Sequence, residues 1–145
     1  MTTPLWMLLG FAVWTLLILA AGIGVCRWLL IFQGKAQLTS FPGDTAHGSA
    51  PYRRMVRAHA NCLENLPVFA TLVLIAQIAH LNPPAMDGLA IAILAGRIAQ
   101  SSVHILFPET NASVAVRFSC FLIQLVAMSA MAVLIAIAAF ERNVP

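Results

Sequence analysis

Four stretches of mostly apolar residues run along this chain, separated by three polar breaks. Residues 5–26 carry no charge over 22 positions, and residues 118–140 carry none over 23. About 20 apolar residues are enough for an α-helix to cross the hydrocarbon core of a bilayer. Strands of a membrane barrel would alternate apolar and polar positions, and these stretches do not. The pattern therefore predicts four membrane-spanning helices, over about residues 5–32, 52–80, 85–107 and 112–140.

The three breaks predict how these spans are connected. Residues 33–51 are rich in Gly and Pro and form the one long loop, whereas residues 81–84 and 108–111 are short connections. We expect Asn82 to cap the third span, with Pro83 in its first turn. Spans two to four should then be antiparallel neighbours. The expected fold is an all-α, integral membrane four-helix bundle that forms a single domain over residues 1–145.

Composition supports a membrane protein and excludes several other classes. The chain is 61% hydrophobic and 9% charged, against about 25% charged residues in soluble domains. A soluble domain of 145 residues could not bury so much apolar surface. The three cysteines have no CxxC spacing, so we expect small apolar side chains rather than a metal site or a disulfide framework. The basic residues form no patch with interleaved aromatics, so no nucleic-acid partner is expected.

Charge also predicts the orientation in the membrane. Lys35, Arg53, Arg54 and Arg57 lie in or beside the long loop, and residues 80–88 contain no Lys or Arg. The positive-inside rule places the long loop in the cytoplasm and both termini on the opposite side. The apolar run after residue 4 is too long for a signal-peptide core, so we expect the first span to be retained.

Three spans carry polar residues at helical spacing. These are Arg57, Asn61 and Glu64 on the second span, Arg97, Gln100, Ser101 and His104 on the third, and Arg117 and Gln124 on the fourth. At about 1.5 Å per residue, all except Gln124 lie roughly 5–18 Å from the cytoplasmic end. Charged residues inside a span are costly and usually face a bundle interior or a cavity. The sequence therefore predicts one shared site in the cytoplasmic half of the bundle.

The charges of this site indicate its ligand. Three arginines face one acid, Glu64, and an uncompensated cationic cluster in a low dielectric is unfavourable. Arginine suits forked recognition of carboxylates, and Glu64 can hold an ammonium group. A hydrophilic anion with carboxylates and one amine would fit. Other interpretations stay open: Arg57 and Arg117 reach the headgroups, Arg97 and Glu64 form a structural pair, and the histidines are satisfied within the bundle.

The run from Arg57 to Pro67 resembles the helix 2 signature of the MAPEG family, the membrane-associated proteins in eicosanoid and glutathione metabolism. That signature reads Arg-x-x-x-Asn-x-x-Glu, and here it is formed by Arg57, Asn61 and Glu64. Weaker similarities are Gly96-Arg97, Val116-Arg117 and Phe41-Pro42-Gly43-Asp44. The resemblance covers about residues 35–124 and the four-span layout.

The resemblance implies a homotrimer that binds glutathione between subunits in the cytoplasmic half. It implies that Arg57, Asn61, Glu64 and Arg97 hold the charged ends of glutathione. The full set of candidate glutathione-binding residues is Arg57, His59, Asn61, Glu64, Arg97, Gln100 and Lys35. Of these, His59 would reach a neighbouring subunit's site, and Lys35 is the nearest candidate for a basic residue that the family carries near the first loop.

The candidate catalytic residues are Arg117 and His104. Arg117 matches a family arginine placed near the thiol, where its charge would favour the thiolate. His104 stands where several family members have a tyrosine. The implied function is a glutathione-dependent transferase or peroxidase in which the thiolate attacks a lipophilic small molecule that arrives from the membrane lipids.

Two alternatives remain at this point. His104 and Phe118 depart from the family pattern, since the prostaglandin-forming branch has serine where Phe118 stands. These departures favour a non-catalytic binding or scaffold protein of the same fold. The second alternative is a small multidrug-type transporter. Such transporters carry a single acid in the first span, and the first span of this chain has none.

Overall fold

Four long helices make up most of the computed structural model, which describes residues 1–42 and 47–143. Each helix is long and apolar enough to cross a membrane, and the described residues contain no strand. The predicted all-α, four-span fold is thereby confirmed. Of the loop segment that resembles the family pattern, Gly43 and Asp44 lie outside the described residues. The spans are Thr3–Phe32, Ala50–Ile78, Met86–Leu106 and Asn111–Asn143.

The first span is not one regular helix. Two α-helical parts, Thr3–Leu17 and Val25–Phe32, are joined by a π-helical segment, Ile18–Gly24. The first and second spans approach closely here, because a Cβ added at Gly22 would lie 3.1 Å from the Met55 sulfur. The apolar pattern did not predict this segment, since a continuous apolar run has the same appearance in either helix type.

The ends of the second and third spans are fixed by local backbone interactions. Ser49 caps the second span by accepting a hydrogen bond from the Tyr52 amide at 3.5 Å. The third span is preceded by Ala85 in the left-handed region, with φ 73°. The predicted capping role of Asn82 is therefore wrong: the turn continues past Pro83, whose carbonyl accepts a 3.3 Å hydrogen bond from the Met86 amide.

Apolar side chains fill the interior and also cover much of the outer surface. Phe11, Phe69, Ile93 and Met131 are fully buried, and the rings of Phe11 and Phe69 lie 5.9 Å apart between centroids. Large apolar residues on every span are exposed at the same time. A surface of this kind is stable only in an apolar solvent, so the bundle is an integral membrane protein.

Candidate functional site

A cleft of about 290 Å³ opens between the second, third and fourth spans. We call it the polar cleft, because charged or amide side chains from all three spans line it. It lies in the half of the bundle that carries the 33–49 loop and the turn at residues 107–110, which we call the loop end. The lining residues are Asn61, Glu64, Asn65, Gln100, His104, Val114, Arg117, Phe118 and Phe121.

Helical spacing brings these side chains together. Asn61, Glu64 and Asn65 stand at i, i+3 and i+4 on the second span, and Gln100 and His104 at i and i+4 on the third. Residues at these spacings share one face of a helix. The polar stripes that the sequence places on two separate spans therefore meet at one cleft, as the depth argument predicts for Asn61, Glu64, Gln100 and His104.

Two glutamines join the third and fourth spans beside the cleft, and one of them, Gln100, lines it. Gln124 donates from Nε2 to Gln100 Oε1 at 2.9 Å and to the Cys120 carbonyl at 2.8 Å. Gln124 is fully buried and Gln100 nearly so. Hydrogen-bonded amides in a low dielectric cost much less to bury than unpaired ones. This pair fixes the side chain of Gln100 where the third span faces the cleft.

Arg117 is the cation of the polar cleft. Only 16% of its side chain is exposed, and its Nη1 lies 3.9 Å from Glu109 Oε1. The same carboxylate oxygen accepts a 2.9 Å hydrogen bond from Arg57 Nη1. Glu109 therefore lies close to both Arg57 and Arg117. The sequence pattern had predicted Glu64 as the one acid that faces these arginines.

Arg57 lies outside the cleft, at the loop end. Its side chain is 66% exposed, and it is not among the residues that line the polar cleft. An exposed ion pair of this kind contributes about 0–1 kcal/mol. The guanidinium therefore remains available to a ligand that extends from the cleft toward the loop end.

The structure separates Arg97 from the predicted shared site. Arg97 is fully buried within the subunit, where its guanidinium carbon lies 5.5 Å from the Phe11 ring centroid and beside Cys62. Its Nε and Nη2 have no hydrogen-bond partner among the described residues. One turn after Arg97, the third span presents Gln100 rather than the arginine to the cleft.

The two remaining candidates, His59 and Lys35, also lie away from the polar cleft of their own subunit. His59 is half-buried on another face of the second span, and its Nδ1 is buried with no partner in the described part of the chain. Lys35 is exposed just after the first span, where its amide donates to the Leu30 carbonyl at 2.9 Å.

His104 does line the cleft, and it is 6% exposed. Its Nε2 is buried and lacks a hydrogen-bond partner among the residues described. A buried polar atom without a partner in a native site calls for an explanation, such as a ligand or water that completes it. The cleft therefore has an unused hydrogen-bonding group in addition to its cation.

Several residues of the site were not among the predicted ones. Asn65 stands four residues after Asn61 and so continues the same polar stripe, although it was not predicted as a site residue. Val114, Phe118 and Phe121 form an apolar wall around Arg117 on the fourth span; Val114 and Phe121 stand three residues before and four after Arg117, which carries the signal for these two, and Phe118 follows Arg117 directly. Glu109 lies in a turn, where no periodicity reveals which residues it reaches.

Comparison with known proteins adds one finding to this geometry. No curated protein and no solved structure matches the chain with a significant score. The model of the MAPEG family matches residues 11–137, which is most of the chain and includes the second and third spans, most of the first and fourth, and the polar cleft. This chain therefore belongs to the MAPEG family, whose members are membrane proteins of glutathione and eicosanoid metabolism.

Proposed function

We propose that this protein is a membrane-embedded glutathione-dependent transferase or peroxidase that acts on lipophilic electrophiles. Membership of the MAPEG family supports glutathione-related chemistry in general. The observation that carries the specific proposal is the meeting of Arg117, Glu64 and His104 with amide side chains in one cleft of the bundle.

The polar groups of the cleft suit the polar groups of glutathione. Glutathione carries two carboxylates, one ammonium and one thiol. Glu64 is suited to the ammonium, and the amides of Asn61 and Gln100 are suited to its peptide groups. Arg57, at the loop end, is suited to a carboxylate. The volume of about 290 Å³ is just below the range of small-molecule sites, which starts at about 300 Å³.

The cleft of one subunit is incomplete, which supports a homotrimer as part of the proposal. Glu64 and Phe118 are exposed in the single chain although both line the cleft. A neighbouring copy would cover this opening, and closed cyclic symmetry is the usual form of such assemblies. His59 and Lys35, which lie away from their own subunit's cleft, are the candidates to act on a neighbour's site. The loop end is proposed to face the cytoplasm, where glutathione would enter.

Arg117 is proposed to act on the thiol. A cation near a thiol favours the thiolate, which is the nucleophilic form. With an aromatic halide as the electrophile, the thiolate sulfur would form a bond to the carbon that carries the halogen, and the halide ion would leave. The apolar wall of Val114, Phe118 and Phe121 is suited to hold the lipophilic substrate beside that sulfur. Holding both reactants in one cleft would contribute further to the rate.

The test compares the purified wild type with Arg117→Ala. An opposite charge lowers a thiol pKa by about 1–3 units from about 8.5, so the variant should lose about eightfold to thirtyfold of the conjugation rate near pH 7. The ultraviolet absorbance of bound thiolate should fall in parallel, while titration calorimetry shows that glutathione still binds. Arg142→Ala, at the opposite end of the bundle, is the matched control. Absence of both glutathione binding and conjugation in the wild type would contradict the proposal.

A non-catalytic binding or scaffold protein of the same fold is the second candidate. It is favoured by one feature: His104, instead of a hydroxyl donor, stands next to Arg117 in the cleft. Thiolate absorbance and conjugation distinguish the two candidates. A binding protein would take up glutathione in the calorimeter without any thiolate absorbance and without conjugation.

A further inference from the structure

A second polar hollow lies at the loop end and shares no lining residue with the polar cleft. It has a volume of about 430 Å³ and is formed by the start of the second span and the turn between the third and fourth spans. We call it the basic hollow. Its lining residues are Ala50, Arg53, Arg54, Arg57, Pro108 and Glu109.

The charges of the basic hollow do not balance. Three guanidinium groups line it, and Glu109 is its one lining carboxylate. That carboxylate already accepts from Arg57 at 2.9 Å. Neither Arg53 nor Arg54 has a carboxylate within 4.0 Å among the described residues. The hollow therefore has two positive charges without an internal counterion.

Both of these arginines are held in place by backbone carbonyls. Arg53 donates from Nη1 to the Gly48 carbonyl at 3.0 Å, and Arg54 donates from Nε to the Ile105 carbonyl at 3.2 Å. A guanidinium group has five N–H donors, so each arginine has further donors for a ligand. Arginines that are already positioned lose less entropy when they bind an oxyanion.

The position of the basic hollow along the bundle indicates the source of such an anion. The second span has 29 residues, which is about 43 Å at about 1.5 Å per residue. The hydrocarbon core is only about 30 Å thick, and the headgroup layers on both sides together add about 10–15 Å. Arg53 and Arg54 lie within the first two turns of this long helix. With the helix centred on the bilayer, they would stand at the depth of the lipid phosphates.

We propose that the basic hollow binds a phosphate group, with an anionic membrane phospholipid as the source that its depth favours. Arginine recognises phosphate through paired N–H donors. Basic residues at a membrane surface each contribute about 1 kcal/mol to the attraction of anionic lipid. Arg57 lines the basic hollow and is also proposed to meet a carboxylate of glutathione, whereas Arg53 and Arg54 do not line the polar cleft and take no part in the proposed reaction.

The experiment measures lipid binding to the detergent-solubilised full chain by native mass spectrometry. The probes are phosphatidylglycerol, a diacylglycerol with the same acyl chains but no phosphate, and inorganic phosphate as a competitor. We expect the wild type to retain phosphatidylglycerol in preference to the diacylglycerol. The double variant Arg53→Gln/Arg54→Gln should bind phosphatidylglycerol about thirtyfold more weakly, as expected for two lost surface cations.

Three variants separate charge from structure. Arg53→Lys/Arg54→Lys keeps the charge and should retain most of the binding. Arg53→Gln alone removes only an exposed hydrogen bond to the Gly48 carbonyl. Weaker phosphatidylglycerol binding by this single variant therefore tests the proposal if the double variant fails to fold. Arg142→Gln, at the other end of the bundle, is the charge control and should bind as the wild type does.

Each outcome decides the proposal. Competition by inorganic phosphate at millimolar concentration would show that the free anion is also a ligand, and its absence would assign the site to the lipid; both support a phosphate site. Phosphatidylglycerol binding that is equal to diacylglycerol binding would overturn it. So would a double variant that binds as well as Arg142→Gln does. Glutathione titration of the same variants should be unchanged, which keeps this result distinct from the proposed function.

Discussion

At the scale of single residues, Glu109 connects the two arginines nearest the polar cleft. Its Oε1 lies 2.9 Å from Arg57 Nη1 and 3.9 Å from Arg117 Nη1, and half of its side chain is exposed. A carboxylate in this position competes with any anionic ligand for both guanidinium groups. Its contribution to folding is small, because exposed ion pairs are screened by water and salt.

The change Glu109→Gln tests this competition. We expect glutathione, with its net negative charge, to bind about twofold to fivefold more tightly, as for removal of an exposed ion pair worth about 0.4–1 kcal/mol. Titration calorimetry at low and high salt measures it, and the gain should shrink at high salt. Glu141→Gln at the far end is the control. Weaker binding in the Glu109 variant would show that this carboxylate holds the ligand instead of opposing it.

The sequence predicted which residues line the site better than it predicted which residues they contact. Asn61, Glu64, Gln100, His104 and Arg117 line one cleft, and helical spacing places those of each span on a shared face. Arg97 follows the same spacing yet points into the subunit interior, next to Phe11. Spacing gives a direction around one helix axis, and the neighbour that lies in that direction depends on how all four helices pack.

At the scale of elements, the contact between the third and fourth spans depends on a small residue. A Cβ added at Gly96 would lie 3.1 Å from Gln124 Cγ and 3.4 Å from the Cys120 carbonyl oxygen. The Gln124 side chain at this contact is the one that bonds Gln100. Close packing at Gly96 and the position of Gln100 in the cleft are therefore parts of the same arrangement.

The pair Gly96→Ala and Gly88→Ala tests this contact within one helix. A Cβ at Gly88 would meet nothing within 4 Å, so its replacement should be neutral or stabilising by up to about 1 kcal/mol through helix propensity. Gly96→Ala should instead destabilise by about 1–3 kcal/mol through overpacking. Thermal unfolding in detergent, followed by circular dichroism, measures both. Equal midpoints for the two variants would contradict a tight contact at Gly96.

The elements themselves were largely predictable from the apolar pattern. The predicted spans differ from the observed ones by three residues or fewer at each end, because a bilayer demands long apolar helices and the polar breaks are distinct. The predicted cap of the third span was wrong, since Ala85 and not Asn82 precedes the helix, in a left-handed conformation that residues other than Gly rarely show. The π-helical segment was missed because no residue pattern distinguishes it from an α-helix.

At the scale of the whole molecule, the two ends of the bundle differ in charge. Lys35, Arg53, Arg54 and Arg57 lie at the loop end. The opposite end has Arg142, which donates to the Ala79 carbonyl at 2.6 Å, together with Asp87 and Glu141. This asymmetry supports the predicted orientation, with the loop end in the cytoplasm.

Cysteine labelling tests the orientation. In a variant whose three native cysteines are replaced, Gln37→Cys would mark the loop and Asn82→Cys the opposite turn; both positions are exposed. A membrane-impermeant maleimide added to intact cells should label the second variant and leave the first unlabelled until the membrane is permeabilised. The reverse pattern would place the loop end, near which the polar cleft lies, outside.

In the single chain the polar cleft is open beside exposed Phe118 and Glu64, so a lipophilic reactant would reach it from the bilayer along the seam between neighbouring subunits. A reactant dissolved in the bilayer would thus meet the protein by two-dimensional diffusion. The reaction rate would saturate with the mole fraction of this reactant among the lipids. Adding inert lipid at constant total substrate would therefore dilute the reactant in the membrane and slow turnover.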